Sequence, residues 1–243
     1  MDEQIVAGAV LFAGDALNAY ARWEGPTVIV SDGPYGIEGY EGDASSPEML
    51  PALYASHVDA WSAAATSRTT LWFWCDEAGW AFIHPAILAR GWAFRGLNVW
   101  DKGPAYLDYR ALREAAKGRP DRGSAGRFPK ATEVCGHYVR DPEGAAWHPE
   151  PGLWNVWSEP LLHGPERLRG PEGVFAHPCQ KPLSLMERII RASSDPGDAV
   201  WEPFAGLASA SAAALALGRR PFAAERDARY AAIAAARLGL AAT

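Results

Sequence analysis

Short apolar runs alternate with longer Ala-rich segments along most of the chain. Residues 27–30 are β-branched and apolar and lead into Ser-Asp-Gly-Pro, which predicts a buried strand that ends at a turn. Similar runs predict strands at residues 69–74, 92–100, 133–140, 198–202 and 221–225. Apolar residues at helical spacing and glycine stops predict helices at residues 52–65, 78–90, 182–193 and 208–217, and a last helix from Asp227. Strands that alternate with helices indicate an α/β fold with a doubly wound, mainly parallel sheet.

Two stretches interrupt this alternation. Residues 103–130 are polar, basic and rich in Gly and Pro, and a loop of this length in a compact domain is usually functional or disordered. We expect it to be mobile alone and ordered on binding a partner. Residues 141–176 hold many Pro, Gly and Trp residues with little periodicity, which predicts an irregular surface insertion. The length fits one domain over residues 1–243 that carries both insertions.

The composition excludes several classes of protein. With 49% hydrophobic and 21% charged residues the chain can bury a full core, which argues against global disorder. No apolar run approaches the roughly 20 residues of a membrane span. The N-terminus is acidic and lacks the basic flank of a signal peptide, so we expect a cytoplasmic protein with no membrane partner. Cys75, Cys135 and Cys179 fit no disulfide or metal spacing and the six histidines form no cluster, so we expect inert thiols and no metal site.

The net charge of −6 hides a local basic excess. A nucleic-acid partner needs a basic surface and not a basic total. The cations between positions 110 and 130 are Arg110, Arg113, Lys117, Arg119, Arg122, Arg127 and Lys130, against Glu114 and Asp121. This segment is either a phosphate-binding surface or a solvated loop.

Residues 199–225 have the pattern of a nucleotide-binding unit. A strand ends at Glu202, a turn follows through Phe204 and Gly206, and an Ala-rich helix begins. Gly206 lets the backbone pass close to a ligand because it has no Cβ. The next strand ends at Glu225, near the spacing at which such folds place the acid that binds ribose hydroxyls. GxGxxG is absent and nothing is set to bind a pyrophosphate, so S-adenosylmethionine fits better than a dinucleotide. An ordinary strand–Gly–helix turn is the alternative.

The stretch 177–238 closely resembles the C-terminal region of amino-methylating DNA methyltransferases. It has that family's H-P-x-Q-K-P segment at 177–182, its F-x-G turn at 204–206 and the acid that ends the next strand. SDGPYG at 31–36 resembles the family's catalytic D-P-P-Y. The catalytic motif precedes the cofactor motif, as in the β-type permutation of the family. The resemblance covers roughly residues 5–102 and 131–240.

The resemblance implies a Rossmann-like methyltransferase fold with seven strands and a circularly permuted motif order. It implies that Phe204, Gly206 and Glu225 bind S-adenosylmethionine and that Glu202 faces its methionine end. It also places four further residues beside the cofactor, namely His177, Gln180, Lys181 and Ser209, whose hydroxyl stands where the family has Thr. The implied partner is double-stranded DNA with a flipped base, and a homodimer and a cognate nuclease stay open. Residues 141–176 correspond to the family's target-recognition region.

The catalytic residues implied are Asp32, Gly33, Pro34 and Tyr35. An exocyclic amine is a poor nucleophile because its lone pair is delocalised into the ring. Asp32 can accept a hydrogen bond from one N–H group of the amine, and the Gly33 or Pro34 carbonyl can accept a hydrogen bond from the other. Tyr35 offers an aromatic face to a base taken out of the stack. Positioning beside an already activated methyl group then supplies most of the acceleration.

Departures from the family leave alternatives open. Gly33 stands where the family usually has Pro, and Leu207-Ala208 where it has Ser-Gly, so a catalytically weak relative that binds DNA or a partner is one alternative. A methyltransferase acting on RNA is another. A Pro-Cys nucleophile at Cys179 is disfavoured because that position varies within the family's segment.

The choice between adenine N6 and cytosine N4 as the target atom also depends on one position of the sequence. Asp32 favours adenine N6 over cytosine N4, because by the resemblance Ser is more typical of cytosine N4 enzymes at that position. Ser31 leaves the choice open, since a shift of one residue in the loop would present a hydroxyl instead.

The tryptophans of the Trp-rich stretches fall into two groups. Five lie in predicted strands and helices, where core packing is expected: Trp72, Trp74, Trp80, Trp92 and Trp100. Trp147, Trp154 and Trp157 lie in the 141–176 insertion, where one of them can stack on or wedge into DNA.

Overall fold

Nine strands and five helices make up the regular structure of the described residues. The computed structural model describes residues 3–6, 8–37, 43–103, 106, 130–150, 152–160, 162, 164–170 and 173–239. The strands are β1 (Glu3–Val6), β2 (Ala9–Ala13), β3 (Val28–Ser31), β4 (Thr70–Cys75), β5 (Ala93–Asp101), β6 (Thr132–Val139), β7 (Val156–Ser158), β8 (Ala199–Glu202) and β9 (Arg220–Glu225). The helices are α1 (Leu50–Ala64), α2 (Glu77–Leu88), α3 (Leu183–Ser193), α4 (Ser209–Ala216) and α5 (Ala228–Arg237).

All nine strands belong to one sheet, in the order β1-β2-β9-β8-β3-β4-β6-β5-β7. The pairs from β2 to β4 are parallel, whereas β6 runs antiparallel between β4 and β5. The prediction of a mainly parallel α/β sheet is therefore confirmed. The inner seven strands, from β2 to β5 in this order, match the expected number. β1 and β7 add one strand at each edge, so the sheet has nine strands rather than seven.

Helices cover the sheet and bury a core rich in aromatic side chains. α1 and α2 contribute Tyr54, Trp61 and Ile83 to one cluster around β3 and β4. α3 and α4 form a second cluster with Trp72 and Trp74, whose side chains alternate along β4 with those of the first. α5 packs over β2 and β9. Because successive strand side chains point to opposite faces, these clusters give the doubly wound arrangement that was predicted.

The predicted central elements are present within one or two residues of their expected bounds. The N-terminal hairpin of β1 and β2 was not predicted, because each strand is short and the join at Gly8 takes a φ of +88°. β7 was not predicted either, since three residues give no measurable alternation. Outside β7 and one short 3-10 turn, the described part of 141–176 is irregular, as predicted.

Tryptophans and cysteines behave largely as expected. Trp72, Trp74, Trp92 and Trp100 are buried and Trp80 packs partly buried against the first cluster. Cys75 and Cys135 are buried free thiols, whereas Cys179 is free and exposed. In the described part of the chain no helix is long and apolar enough to cross a membrane.

The strand directions bring distant segments to one edge of the sheet. β3, β8 and β9 are parallel neighbours, so Ser31, Glu202 and Glu225 end at the same edge. β6 runs the opposite way, and its first residues pair with the last residues of β4 and β5. The amino end of β6 and the carboxyl end of β5 therefore both lie beside the segment that follows β3.

Candidate active site

The loop after β3 is held by a carboxylate that the sequence did not single out. Asp43 accepts backbone hydrogen bonds from three consecutive residues, Tyr35, Gly36 and Ile37, over 2.8–3.1 Å. Three N–H groups that point at one carboxylate fix the direction of the chain after Asp32. Asp43 is thus a positioning residue for the predicted catalytic loop.

Gly33 lies where a side chain has no room. A Cβ on this residue would come within 2.5 Å of the Tyr54 hydroxyl and 2.8 Å of the Phe204 ring. Tyr54 also donates a hydrogen bond to the Pro34 carbonyl over 3.0 Å. Gly33 therefore lets Phe204, from the predicted cofactor turn, lie against the predicted catalytic loop.

Asp32 and three other charged side chains lie together in the structure. We name these four residues the charge cluster: Asp32, Lys102, Glu133 and Lys181. The Lys181 ammonium donates to Asp32 Oδ1 over 2.6 Å and reaches Glu133 Oε2 at 3.1 Å. Lys102 pairs with the other oxygen of Glu133. Tyr35 joins the cluster, because its hydroxyl lies 2.8 Å from Asp32 Oδ1 and 3.1 Å from Glu133 Oε2 and donates its one proton to a carboxylate there.

Glu133 and Lys181 are held in their ionised forms by their neighbours. Burial alone would raise the pKa of Glu133, but Lys181 and Lys102 outweigh it and lower that pKa to about 2. Burial would lower the pKa of Lys181, but Asp32 and Glu133 raise it above its ordinary value. Burial, and then the charges of Asp32 and Glu133, raises the pKa of Tyr35, which stays a neutral phenol.

Lys181 and Tyr35 make contacts that were not predicted. Lys181 was expected beside the cofactor, and the structure places its ammonium at the predicted catalytic loop, 5.4 Å from the centres of the Tyr35 and Trp74 rings. Tyr35 was expected to offer an aromatic face to the base, and its hydroxyl in addition contacts the charge cluster. Glu133 and Lys102 were not singled out, although a charge next to an apolar strand is a visible feature of both.

The predicted cofactor turn joins β8 to α4. Gly206 has a φ of +53°, in the left-handed region that favours glycine, while a Cβ there would meet only the His177 ring at 3.8 Å. Glycine is needed for its conformation rather than for space. The Glu225 carboxylate accepts from the backbone N–H of Gly206 and of Asp227, each over 2.7 Å. Each of its oxygens keeps a second acceptor site, as ribose hydroxyls would require.

Glu202 is buried and turned toward the start of α4. Its carboxylate accepts from the N–H groups of Ala210 and Ser211 over 2.9 and 2.7 Å, and from the Ser211 hydroxyl. These bonds satisfy donors that a helix start leaves open. Burial raises the pKa of Glu202 to about 7, against the opposite effect of these hydrogen bonds.

Hydrogen bonds from Ser209 and Arg237 connect the predicted cofactor turn to the neighbouring segments. The Ser209 hydroxyl donates to the Lys181 carbonyl over 2.9 Å, and Arg237 donates to the Leu207 carbonyl over 2.7 Å. Ala208, where the family has its second Gly, has a φ of +56°. Ala208 therefore takes a left-handed conformation without being glycine, at a conformational cost of about 1–2 kcal/mol.

Residues of the segment before α3 contact two different parts of the protein. His177 lies next to Gly206, its ring centre 4.5 Å from that of Tyr230, and burial lowers its pKa to about 4. Gln180 was expected beside the cofactor, but its side-chain amide bonds the backbone of Glu166 and Leu168 over 2.7 and 3.0 Å. Gln180 therefore anchors the 141–176 insertion.

The sequence and the fold match one family of enzymes. The family model for N6/N4 DNA methylases matches residues 27–236, which is most of the chain. This chain belongs to the N6/N4 DNA methylase family. The predicted resemblance is thereby confirmed, and with it the class of cofactor, S-adenosylmethionine.

Two curated relatives of this DNA methylase are type II methyltransferases. M.HinfI of Haemophilus influenzae is 44% identical over 84 residues, which cover 35% of this chain and 23% of that protein. M1.MboII of Moraxella bovis is 27% identical over 222 residues, which cover 84% of this chain and 85% of that protein. The M.HinfI match is thus local, whereas the M1.MboII match spans most of both chains.

Solved structures support the fold of the methylase. The PvuII DNA methyltransferase, described as cytosine-N4-specific, aligns with a TM-score of 0.75 at 15% identity, covering 97% of this chain and 89% of that one. The M1.HpyAVI complex with SAM aligns with a TM-score of 0.65 at 18% identity, covering 95% and 99%. At these identities the likeness concerns the fold alone.

The basic segment of the methylase lies almost entirely outside the described residues. This holds for six predicted phosphate-binding residues: Arg110, Arg113, Lys117, Arg119, Arg122 and Arg127. The seventh, Lys130, forms ion pairs with Asp76 and Glu77 over 2.7 and 2.9 Å. Its charge helps to hold the start of α2, so the prediction that Lys130 contacts phosphate is corrected: this ammonium is engaged by two carboxylates.

The insertion separates its three tryptophans. Trp157 is buried in the second cluster, under the guanidinium of Arg188, and is not available to DNA. Trp154 is 78% exposed and Trp147 53% exposed. Both line a cavity of about 620 Å³ between the insertion and β5 and β6. None of the predicted catalytic or cofactor residues lines this cavity.

Proposed function

We propose that this methylase transfers a methyl group from S-adenosylmethionine to N6 of adenine in double-stranded DNA. The observation that carries the proposal is the position of Asp32, which follows β3 directly and is held by Lys181 and Tyr35. Phe204 of the cofactor turn packs against the same loop at Gly33. Acceptor and cofactor turn are therefore adjacent, as a direct transfer needs.

The chain's own residues do little covalent chemistry. Asp32 accepts a hydrogen bond from one N–H of the amine and the carbonyl of Gly33 or Pro34 accepts one from the other; Tyr54 already donates to the Pro34 carbonyl and helps to hold it. When bound, S-adenosylmethionine would supply an electrophilic methyl group and would leave as S-adenosylhomocysteine, and the proton that the amine loses passes through the Asp32 carboxylate to solvent. Lys181 keeps Asp32 fixed as an acceptor while the amine nitrogen becomes more tetrahedral. The base reaches this loop only if it leaves the helix stack.

The cofactor is proposed to lie along the turn between β8 and α4. Glu225 holds the ribose hydroxyls through the acceptor sites that Gly206 and Asp227 leave open. His177 lines the turn from the other side. Glu202 acts through α4, whose first N–H groups it bonds. Phe204 then connects the occupied turn to the catalytic loop.

Two observations favour adenine N6 and a working enzyme. Ser31 is buried within β3 opposite Phe73, so the one-residue shift that would present a hydroxyl needs the strand to slip. Asp32 is then the acceptor, as the hypothesis of adenine N6 as the target atom expects. Gly33 is accommodated by Phe204 and Tyr54, which removes the main reason to expect a catalytically weak relative.

The remaining DNA contacts are assigned to the two insertions. We assign phosphate contacts to the basic segment 103–129 and target recognition to 141–176, in which Trp154 is the most exposed aromatic side chain. An enzyme that modifies cellular DNA in this way works in the cytoplasm, as a modification activity with or without a nuclease partner.

The test is identification of the methylated nucleoside. DNA from cells that express the chain, and that lack other methylases, is digested and analysed by mass spectrometry. N6-methyladenine is expected with the wild type and none with Asp32→Asn, whose S-adenosylmethionine affinity should stay within a few-fold. N4-methylcytosine alone would overturn the adenine assignment and keep the mechanism. 5-Methylcytosine, or full turnover by Asp32→Asn, would overturn both.

A further inference from the structure

The charge cluster contains two residues that the proposed chemistry does not use, Glu133 and Lys102. Glu133 lies at the start of β6 and Lys102 directly follows β5, so neither belongs to the catalytic loop or the cofactor turn. Both are largely buried, with side chains 17% and 9% exposed. Buried charges carry a desolvation cost, and such clusters are rarely kept for stability alone. Their position beside Asp32 suggests a task in the reaction.

Lys181 has all three of its donors engaged. An ammonium has three N–H bonds, and this one faces Asp32 Oδ1 at 2.6 Å, the Tyr35 hydroxyl at 3.0 Å and Glu133 Oε2 at 3.1 Å. Removal of any one acceptor would leave the flexible side chain free to reorient. Glu133 is itself fixed, because Lys102 binds its second oxygen.

The fixed position of Lys181 also fixes Asp32, because the hydrogen bond between them ends on one of the two carboxylate oxygens. The bonds from Lys181 and from Tyr35 both end on Oδ1. Oδ2 is then the oxygen that can receive an N–H from the target amine. A carboxylate held at one oxygen cannot turn in its place, so its second oxygen keeps a constant direction.

We propose that Glu133, clamped by Lys102, is a positioning residue that fixes Lys181 and through it directs Oδ2 of Asp32 at the target amine. This inference rests on the proposed function of Asp32. The charge count supports it, since two ammonium and two carboxylate groups make the charge cluster neutral. Glu133 also stays ionised at neutral pH, because the two lysines hold its pKa at about 2.

The experiment compares Glu133→Gln, which keeps the shape and removes the charge, with the wild type. We expect kcat to fall about 10- to 100-fold, as for a displaced reacting group. The KM for DNA and the S-adenosylmethionine affinity should stay within about threefold, because neither contact is touched. The matched control is Glu187→Gln, which removes an exposed ion pair with Arg191 on α3 and should leave all three values unchanged.

A double variant tests whether Lys102 and Glu133 act as one unit. Lys102→Met alone should lower kcat in the same direction as Glu133→Gln, because it releases the second oxygen of Glu133. If Lys102 acts through Glu133, the double variant Glu133→Gln/Lys102→Met should be no slower than Glu133→Gln alone, whereas independent roles would give additive losses. Additive losses in kcat, or an unchanged kcat in Glu133→Gln, overturn the inference, and an unchanged Tm in each variant shows that the protein is folded. A wild type without methylated product would instead refute the proposed function.

Discussion

Replacing Gly33 by Ala should damage this methylase, although the family tolerates a larger residue at that position. The new Cβ would lie 2.5 Å from the Tyr54 hydroxyl and 2.8 Å from two atoms of the Phe204 ring. Carbon atoms in contact prefer about 3.5–4.0 Å, so the ring or the loop must move by roughly 1 Å. Overpacking of this kind costs about 1–3 kcal/mol.

The assay has a stability arm and a rate arm. A loss of about 2 kcal/mol would lower the Tm of a domain of this size by roughly 4–8 °C. A displacement of about 1 Å at Asp32 would lower kcat by about 100-fold. Gly33→Pro, which restores the family's usual residue, carries the same Cβ and should behave no better. The control is Gly96→Ala, where a Cβ would meet nothing within 4 Å.

A second variant tests the cause. Phe204→Ala removes Cγ and Cδ2, the two ring atoms that the Cβ would meet, so the double variant Gly33→Ala/Phe204→Ala should be less damaged than the sum of the single variants. The coupling expected between residues in direct contact is about 0.5–3 kcal/mol. If Gly33→Ala keeps the wild-type Tm and kcat, the packing argument for Gly33 is refuted.

Three further predictions concern the cofactor turn and DNA binding. Glu225→Ala should weaken S-adenosylmethionine binding by about 1–3 kcal/mol through the loss of charge-assisted hydrogen bonds; calorimetry that finds equal affinity contradicts the ribose assignment. Burial raises the pKa of Glu202 from 4.5 to about 7, so its contribution to stability is complete below about pH 4.5 and is lost as pH rises through 7, about 3 kcal/mol in all. Urea unfolding of wild type and Glu202→Gln should show this difference between pH 4 and 8, and a constant difference would show that Glu202 does not titrate there. Neutralising Arg113, Lys117 and Arg122 together should lower the slope of log K against log salt by roughly 2–3, whereas an unchanged slope would indicate a solvated loop.

Much of the fold could be predicted because its central strands are mostly apolar. β3 and β4 are buried along their length, and the turns that follow them carry Gly, Pro or Asp. The edge strands were missed for a physical reason, since a short strand at an edge has too few positions to show a period. The order of motifs supplied the rest through the resemblance.

The site could be predicted only where its residues are close in sequence. Asp32 and Gly206 stand in recognisable turns, whereas Glu133 meets Lys181 only because β6 runs antiparallel beside β4. That direction is a property of the sheet and leaves no trace in local spacing. The same limit explains Lys130, whose ion pair with Asp76 lies across 54 positions of sequence.

The tyrosine in the predicted catalytic loop shows how a motif can be recognised while some of its contacts are missed. Tyr35 has the aromatic ring that the resemblance requires, and its contacts with Asp32 and Glu133 come from its hydroxyl. Sequence gives the residue type, but the direction of a side chain is set by packing. Trp157 is a similar case, because it lies in the unpredicted strand β7, whose pairing with β5 directs it into the core.

The pairing of β3 with β8 has a consequence for how the protein is made. Val28 of β3 pairs with Val200 of β8, and Val10 of β2 pairs with Phe222 of β9, so the middle of the sheet joins the two ends of the chain. Contacts this distant in sequence slow folding. On the ribosome, β3 emerges long before β8 is synthesised, and its unpaired edge is open to other strands during that time. Chaperone dependence during synthesis, and aggregation of chains cut before residue 199, are the expected costs of this strand order.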